Sequence, residues 1–375
     1  MRSRLDTTTK IQTGRPTPSG SAGEIPRRDF LKASLAGAAG AFLLGGMGGC
    51  DGSSSRTTCN RRIGDAHAGS VLALAIDGGG TLLASGSEDT FIKLWRLSDG
   101  ALLNTLRSHA QDVVSLAIAP GGTLLASGSL DNTVKLWSLP DGALMSTLAG
   151  HTQSIVGLAF SPDGQILASG SADATIKLWN LADNSLLATL AGHTLAVSDV
   201  AISPDGSYLV SSSEDKTMNV WNLPGGGLVN TLVTQNGWVK SMAFSPDGAL
   251  LVTGGNADGN AVILWTMPDC VSTMTLRGHG SDVEAVAITP DKSMLASGGL
   301  DATVKLWRVS DAALAKTIDD HSNAINALAI TPDGKLLVSG SADRSIRFWQ
   351  LPAGSYVGSA SDPALPVQVV VSFSC

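Results

Sequence analysis

The sequence predicts an all-β protein built as a radial ring of short sheets, and three regularities predict it. Seven tryptophans recur at Trp95, Trp137, Trp179, Trp221, Trp265, Trp307 and Trp349, at intervals of 42, 42, 42, 44, 42 and 42 residues. Every histidine of the chain (His67, His109, His151, His193, His279 and His321) stands 28 residues ahead of one of them. Finally, each unit holds four short apolar runs divided by turn residues. No stretch of roughly 11–15 residues between the glycine turns follows the 3.6-residue helical period.

The unit from His151 to His193 shows the elements in order. Ile155 to Phe160 is an apolar run of strand length, and Ser161-Pro162-Asp163-Gly164 follows it. An Asp-Gly pair between apolar runs is a strong hairpin signal, because the glycine takes the left-handed conformation the turn requires. Ile166 to Ser169 makes the second strand, Ser171 to Ala174 a second turn, and Thr175 to Trp179 the third strand. Asp183-Asn184 turns the chain again, and Ser185 to Leu190 makes the fourth strand. Strands that are apolar on both faces need a packing partner on each side. A closed ring of sheets supplies one and leaves no long exposed edge.

These residues resemble the WD40 family. Its Gly-His opening, Ser-Pro-Asp-Gly turn, Ala-Ser-Gly-Ser-x-Asp strand end and Lys-Leu-Trp close recur from about His67 to Trp349. The resemblance implies a seven-bladed β-propeller with four antiparallel strands per blade. One feature of the family is missing: no repeat tryptophan is followed by Asp, the successors being Arg96, Ser138, Asn180, Asn222, Thr266, Arg308 and Gln350.

The resemblance also carries over a structural network, position by position. Its members are His67, Ser85, Asp89 and Trp95; His109, Ser127, Asp131 and Trp137; His151, Ser169, Asp173 and Trp179; and His193, Ser211, Asp215 and Trp221. The sixth and seventh units give His279, Ser297, Asp301 and Trp307, then His321, Ser339, Asp343 and Trp349. An imidazole between a carboxylate and a hydroxyl satisfies both ring nitrogens, and the indole N–H finds the same hydroxyl. His, Ser and Asp together suggest a hydrolytic triad, but six copies around one ring argue for a structural part. The fifth unit departs: Gln235 replaces His, Thr253 replaces Ser, and two extra residues enter the hairpin of residues 254–261. Asp258 is the expected carboxylate there, beside Trp265. This unit also holds Trp238, outside the repeat register.

Composition excludes several functional classes. Charged residues make up 15% of the 375, too few for a long disordered polyelectrolyte. Residues 1–49 hold seven Lys/Arg against three Asp/Glu, so of the formal −7 the remaining chain carries −11. That argues against non-specific nucleic-acid binding, which relies on clustered cations. Cys50, Cys59, Cys270 and Cys375 are too sparse for a disulfide scaffold and lack zinc-ligand spacing. Neither metal nor cofactor is expected.

The first 49 residues read as an address. Residues 1–26 are polar and cannot bury a core. Arg27-Arg28-Asp29-Phe30-Leu31-Lys32 then precedes a short apolar stretch ending at Met47, the form of a secretory signal. Arg27, Arg28, Phe30, Leu31 and Lys32 resemble a bacterial twin-arginine (Tat) motif, which implies export of an already folded protein. Met47-Gly48-Gly49-Cys50 resembles a lipobox and implies acylation at Cys50. The expected organisation is therefore a signal at 1–49, a tether at 50–58, the ring at 59–360 and a tail at 361–375.

Two segments compete to close the ring: Cys59 to Ala66 ahead of the first unit, and Gly354 to Ala360 after the last. The N-terminal one is preferred. Val367 to Phe373 has strong strand propensity and could pack on the same seam. Cys59 and Cys375 are expected as free thiols near that seam or, outside the cytoplasm, as a disulfide. Cys270 is expected at a turn, unpaired.

WD40 proteins usually meet partners through three positions per blade, which fall here on Trp238, Lys240, Asp282, Glu284, Glu88, Glu214, Leu130, Leu300 and Asn326. The expected function is an exported, lipid-anchored, non-enzymatic ring that presents a scaffold surface to a protein partner at the cell envelope. It is expected to be a monomer, held to the membrane by its lipid alone and without nucleic acid. The alternative is an exported enzyme with its site at the central channel.

Overall fold

A computed structural model describes residues 61–234 and 237–351. The signal, Cys50, Cys59, Gln235, the alternative closing segment at 354–360, the segment 367–373 and Cys375 lie outside the described residues.

The described strands run from Arg61 to Gln350 and form seven four-stranded antiparallel sheets. Blade three shows the pattern: Ile155–Phe160, Ile166–Ser171, Thr175–Asn180 and Ser185–Ala191, paired in sequence order. These are the elements expected from the sequence, each extended by at most two residues. At the first turn Asp163 Oδ1 accepts from the Ser161 hydroxyl at 2.5 Å and the Gln165 amide at 3.0 Å, and Gly164 has φ +69°. A short polar side chain and a residue free of Cβ are what this reversal demands.

Burial falls from the axis outward. Ile155–Phe160 is buried throughout, whereas Ser185–Ala191 is mostly exposed. The core lies between blades: Ala117, Val134, Leu136 and Leu148 of blade two meet Ile155, Phe160, Leu167 and Trp179 of blade three. Each such large side chain contributes about 1.5–3 kcal/mol on burial. Close approach depends on glycine in the second strand. A Cβ on Gly128 would stand 2.6 Å from Ile155 Cγ2, and one on Gly340 the same distance from Val71 Cγ1. The second contact joins blade seven to blade one.

The N-terminal strand closes the ring, as preferred from the sequence. Arg61–Ile63 pairs antiparallel with Ile346–Gln350, completing the sheet of Ile325–Ile330 and Leu336–Ser341. Arg61 also reaches blade one, donating to Leu97 O at 2.5 Å and Ser98 O at 3.0 Å while its guanidinium stacks over Phe348 at 4.6 Å. One strand thus ties the last blade to the first.

Candidate functional site

Six blades carry the same four-residue network. The imidazole Nδ1 lies 2.8–3.1 Å from a carboxylate oxygen of Asp89, Asp131, Asp173, Asp215, Asp301 or Asp343. Its Nε2 lies 2.7–2.9 Å from the hydroxyl of Ser85, Ser127, Ser169, Ser211, Ser297 or Ser339. The indole N–H of Trp95, Trp137, Trp179, Trp221, Trp307 or Trp349 donates to that hydroxyl at 2.8–3.0 Å. A neutral imidazole with its proton on Nδ1 satisfies every partner. It donates to the carboxylate, accepts the serine O–H, and leaves the serine oxygen to accept from the indole. Each carboxylate also accepts from the backbone amide after the histidine, as Asp301 does from Gly280 at 2.9 Å.

The electrostatics follow from this geometry. Burial alone would raise the Asp89 carboxyl, but the bond from His67 and two backbone amides hold it at about 2. At Asp131, Asp173, Asp301 and Asp343 burial is likewise outweighed by the histidine bond, and the carboxyls sit well below the usual range. At Asp215 burial is outweighed first by the Thr217 hydroxyl. Burial pushes His193 and His321 below the ordinary imidazole value despite their carboxylate partners. These histidines are structural, with both nitrogens occupied.

Blade five corrects one expectation. The Trp265 indole still donates to Thr253 Oγ1 at 3.0 Å, but Asp258 does not join them. Its carboxylate pairs instead with the exposed Arg277 at 3.0 Å, one residue beyond the outer strand Val271–Leu276. The two-residue insertion lengthens the hairpin, and Asp258, Gly259 and Asn260 all adopt left-handed φ. That carries the carboxylate past the network position. Asn256 Oδ1 accepts from the Trp238 amide at 2.9 Å, the bond that Glu88 makes to the Ser70 amide in blade one. Trp265 is partly exposed, whereas the other six repeat tryptophans are buried. Cys270 sits in this blade at a turn with φ +56° as a buried free thiol.

The residues expected on the contact face fall in three environments. Lys240 of blade five is 6% exposed and pairs with Asp282 at 2.9 Å and Glu284 at 2.5 Å in blade six. Trp238, two residues earlier, is partly buried rather than exposed. Lys240, Asp282 and Glu284 make one ion cluster across two blades, with Lys240 two residues along the chain from Trp238. On the opposite arc Leu130 is buried with Leu72 and Val114 in a small apolar cluster. Glu88, Glu214, Leu300 and Asn326 are partly buried elsewhere on the ring. Glu88 accepts from the Ser70 amide at 3.2 Å, and Asn326 donates to Val71 O at 2.9 Å.

Sequence reasoning passed over Asp199. It lines a cavity of about 190 Å³ among inner-strand residues that include Ser115, Leu158, Phe160, Ser241 and Met242. Its oxygens accept from the Val200 and Met242 amides, each at 2.8 Å, stitching blade four to blade five. The signal was available: the other units carry Ala73, Ser115, Gly157, Ser241, Ala285 and Ala327 at this register. A carboxylate held by backbone amides is a strut. Among the described residues, no group of three or more His, Cys, Asp or Glu could hold a metal ion.

The family model described as WD domain, G-beta repeat matches residues 58–96, 100–138, 142–180, 184–222, 226–266, 270–308 and 313–350. The model for the TAT (twin-arginine translocation) pathway signal sequence matches residues 24–43. No curated protein matches the chain.

Proposed function

Because the chain belongs to the WD40 repeat family and carries a twin-arginine signal for export across the cytoplasmic membrane, we propose that it is a non-enzymatic scaffold docking a protein partner at the cell envelope. The observation that carries this reading is the group on blades five and six. Trp238 supplies a large aromatic surface, and Lys240, Asp282 and Glu284 supply a fixed charge pattern in the adjoining blade. A preorganised ion cluster beside a tryptophan is the make-up of an interface hot spot. The six histidines are committed to the blades, so they offer no free base for catalysis. Acylation at Cys50 would hold the ring at the membrane, since several acyl chains anchor firmly where one binds reversibly.

The test is photo-crosslinking from position 238 in envelope fractions, with Leu187 on the outer strand of blade three as the control site. One defined protein captured from 238 and not from 187 is the expected result. Trp238→Ala should lower capture at least tenfold while moving the melting temperature by no more than about 2 °C. Equal capture from both sites, or a large stability loss, would make Trp238 a core residue. Turnover of a defined small molecule by the purified ring would instead place function at the channel. Intact-mass measurement of the mature N-terminus distinguishes an acylated Cys50 from a soluble product.

A further inference from the structure

The seam of blade seven breaks a rule that six other sheets keep. Opposite the third-strand residue beside the His–Asp network, each of those sheets places a threonine. The pairs are Lys93–Thr105, Lys135–Thr147, Lys177–Thr189, Asn219–Thr231, Ile263–Thr275 and Lys305–Thr317. Four of these pairs are hydrogen-bonded, for example Lys177 Nζ to Thr189 Oγ1 at 2.9 Å and Thr231 Oγ1 to Asn219 Oδ1 at 2.7 Å. In blade seven the fourth strand comes from the other end of the chain, and Arg62 faces Arg347.

Two like charges directly opposite in a sheet are destabilising unless something lies between them. The Arg347 side chain is 13% exposed, and its Nε is buried without a hydrogen-bond partner. The carboxylate within its reach, Asp343 Oδ2 at 4.0 Å, already accepts from His321 Nδ1 at 2.8 Å and the Ser322 amide at 3.2 Å. Arg62 makes no hydrogen bond or ion pair among the described residues. Arg344 pairs outward with Asp65 at 3.3 Å, and Arg61 lies on the opposite face of its strand. Both arginine charges of the facing pair help depress the neighbouring His321.

We infer that Arg62 and Arg347 form an oxyanion site on the seam of blade seven, suited to a phosphate group. Two guanidinium forks on facing strands suit a tetrahedral oxyanion; Arg62 is exposed, and the burial of Arg347 strengthens the charge-assisted bond it would make. The phosphate has two sources, a soluble phosphate or an anionic phospholipid headgroup. The headgroup source rests on the anchored reading above. Arg61 follows Cys50 by 11 residues, so an extended tether spans at most about 40 Å. The soluble source needs no anchor.

Thermal melts of the purified chain test the site. Inorganic phosphate at tenfold over its Kd should raise the melting temperature by about 2–4 °C over chloride at equal ionic strength. Arg62→Thr, which restores the residue of the other six sheets, should melt no lower than the parent in chloride and gain nothing from phosphate. A parent chain that melts alike in both salts, or an Arg62→Thr chain that keeps the gain, overturns the inference. Flotation with phosphatidylcholine vesicles, with and without phosphatidylglycerol, then separates the sources. Binding to the anionic vesicles that Arg62→Thr abolishes supports a headgroup, and a phosphate gain without vesicle binding supports a soluble anion. If neither salt nor vesicle distinguishes the two chains, the site fails while the docking surface at Trp238 stands untouched.

Discussion

Blades five and six occupy neighbouring sectors and show what the repeated network does. In blade six, His279 joins Asp301 at 2.9 Å and Ser297 at 2.7 Å, and the buried Trp307 completes the set. In blade five the Trp265–Thr253 bond survives, Asp258 has left for Arg277, and Trp265 is partly exposed. The boundaries differ as well. Gly298 of blade six lets Ile325 of blade seven approach closely, while the equivalent position between blades four and five holds Ser212. The Ser212 hydroxyl is buried and has no hydrogen-bond partner. Blade five still forms four strands. Packing against neighbours therefore builds a blade, and the network determines how firmly its loops are held. The less constrained sector is where Trp238 and the Lys240 cluster lie.

The largest expected effect separates the two blades by mutation. Ser297→Ala strands a buried imidazole nitrogen and an indole N–H together, and should cost about 2–5 kcal/mol. Thr253→Ala strands the partly exposed Trp265 alone and should cost about 1 kcal/mol. Chemical denaturation of the two variants measures both, and equal losses would break the contrast.

Acid should narrow the contrast. Burial works against the six network carboxylates, yet their bonds lower them in the folded state. Their contribution is thus complete above the ordinary carboxylate value of 3.8 and is lost as pH falls below it, toward about 2 for Asp89. His193 and His321 are also lowered, by burial, so their contribution is complete above 6.5 and begins to fade below it. Melting temperature should therefore decline in two stages, first below about pH 6.5 and more steeply below about pH 4. Thr253→Ala should lose as much stability on acidification as the parent, because it leaves the six network carboxylates of the other blades intact, whereas Ser297→Ala, whose network is already broken, should lose less. A single transition confined to neutral pH would contradict this.

The smallest effect sharpens the boundary. Ser212→Gly removes the unpartnered hydroxyl and restores the residue that stands at this register in the other six blades. It should gain up to about 1 kcal/mol, the relief of a buried polar group less the backbone entropy of glycine. A loss would show that the hydroxyl is satisfied in solution.

The ring itself was legible because its signals are local. The tryptophan spacing, the Ser-Pro-Asp-Gly turns and the apolar runs each lie within one unit, and Ile155–Phe160 appears with the limits read from sequence. Closure by the N-terminal strand was also readable, since Arg61–Ile63 precedes His67 as a fourth strand should. What stayed hidden depends on contacts between units. Lys240 reads as a surface cation until Glu284, 44 residues on, is placed against it. Leu130 belongs to the family's contact positions, yet Leu72 and Val114 of blades one and two cover it. Asp258 was misplaced because two inserted residues change a turn whose path composition does not specify.

Hydrogen exchange across the whole ring addresses the central contrast most directly. The amides of Val239–Phe244 and Leu250–Gly255 in blade five should exchange faster than those of Val283–Ile288 and Met294–Gly299 in blade six. Uniform protection across the seven sheets, or faster exchange in a blade with a complete His–Ser–Asp–Trp set, would contradict it.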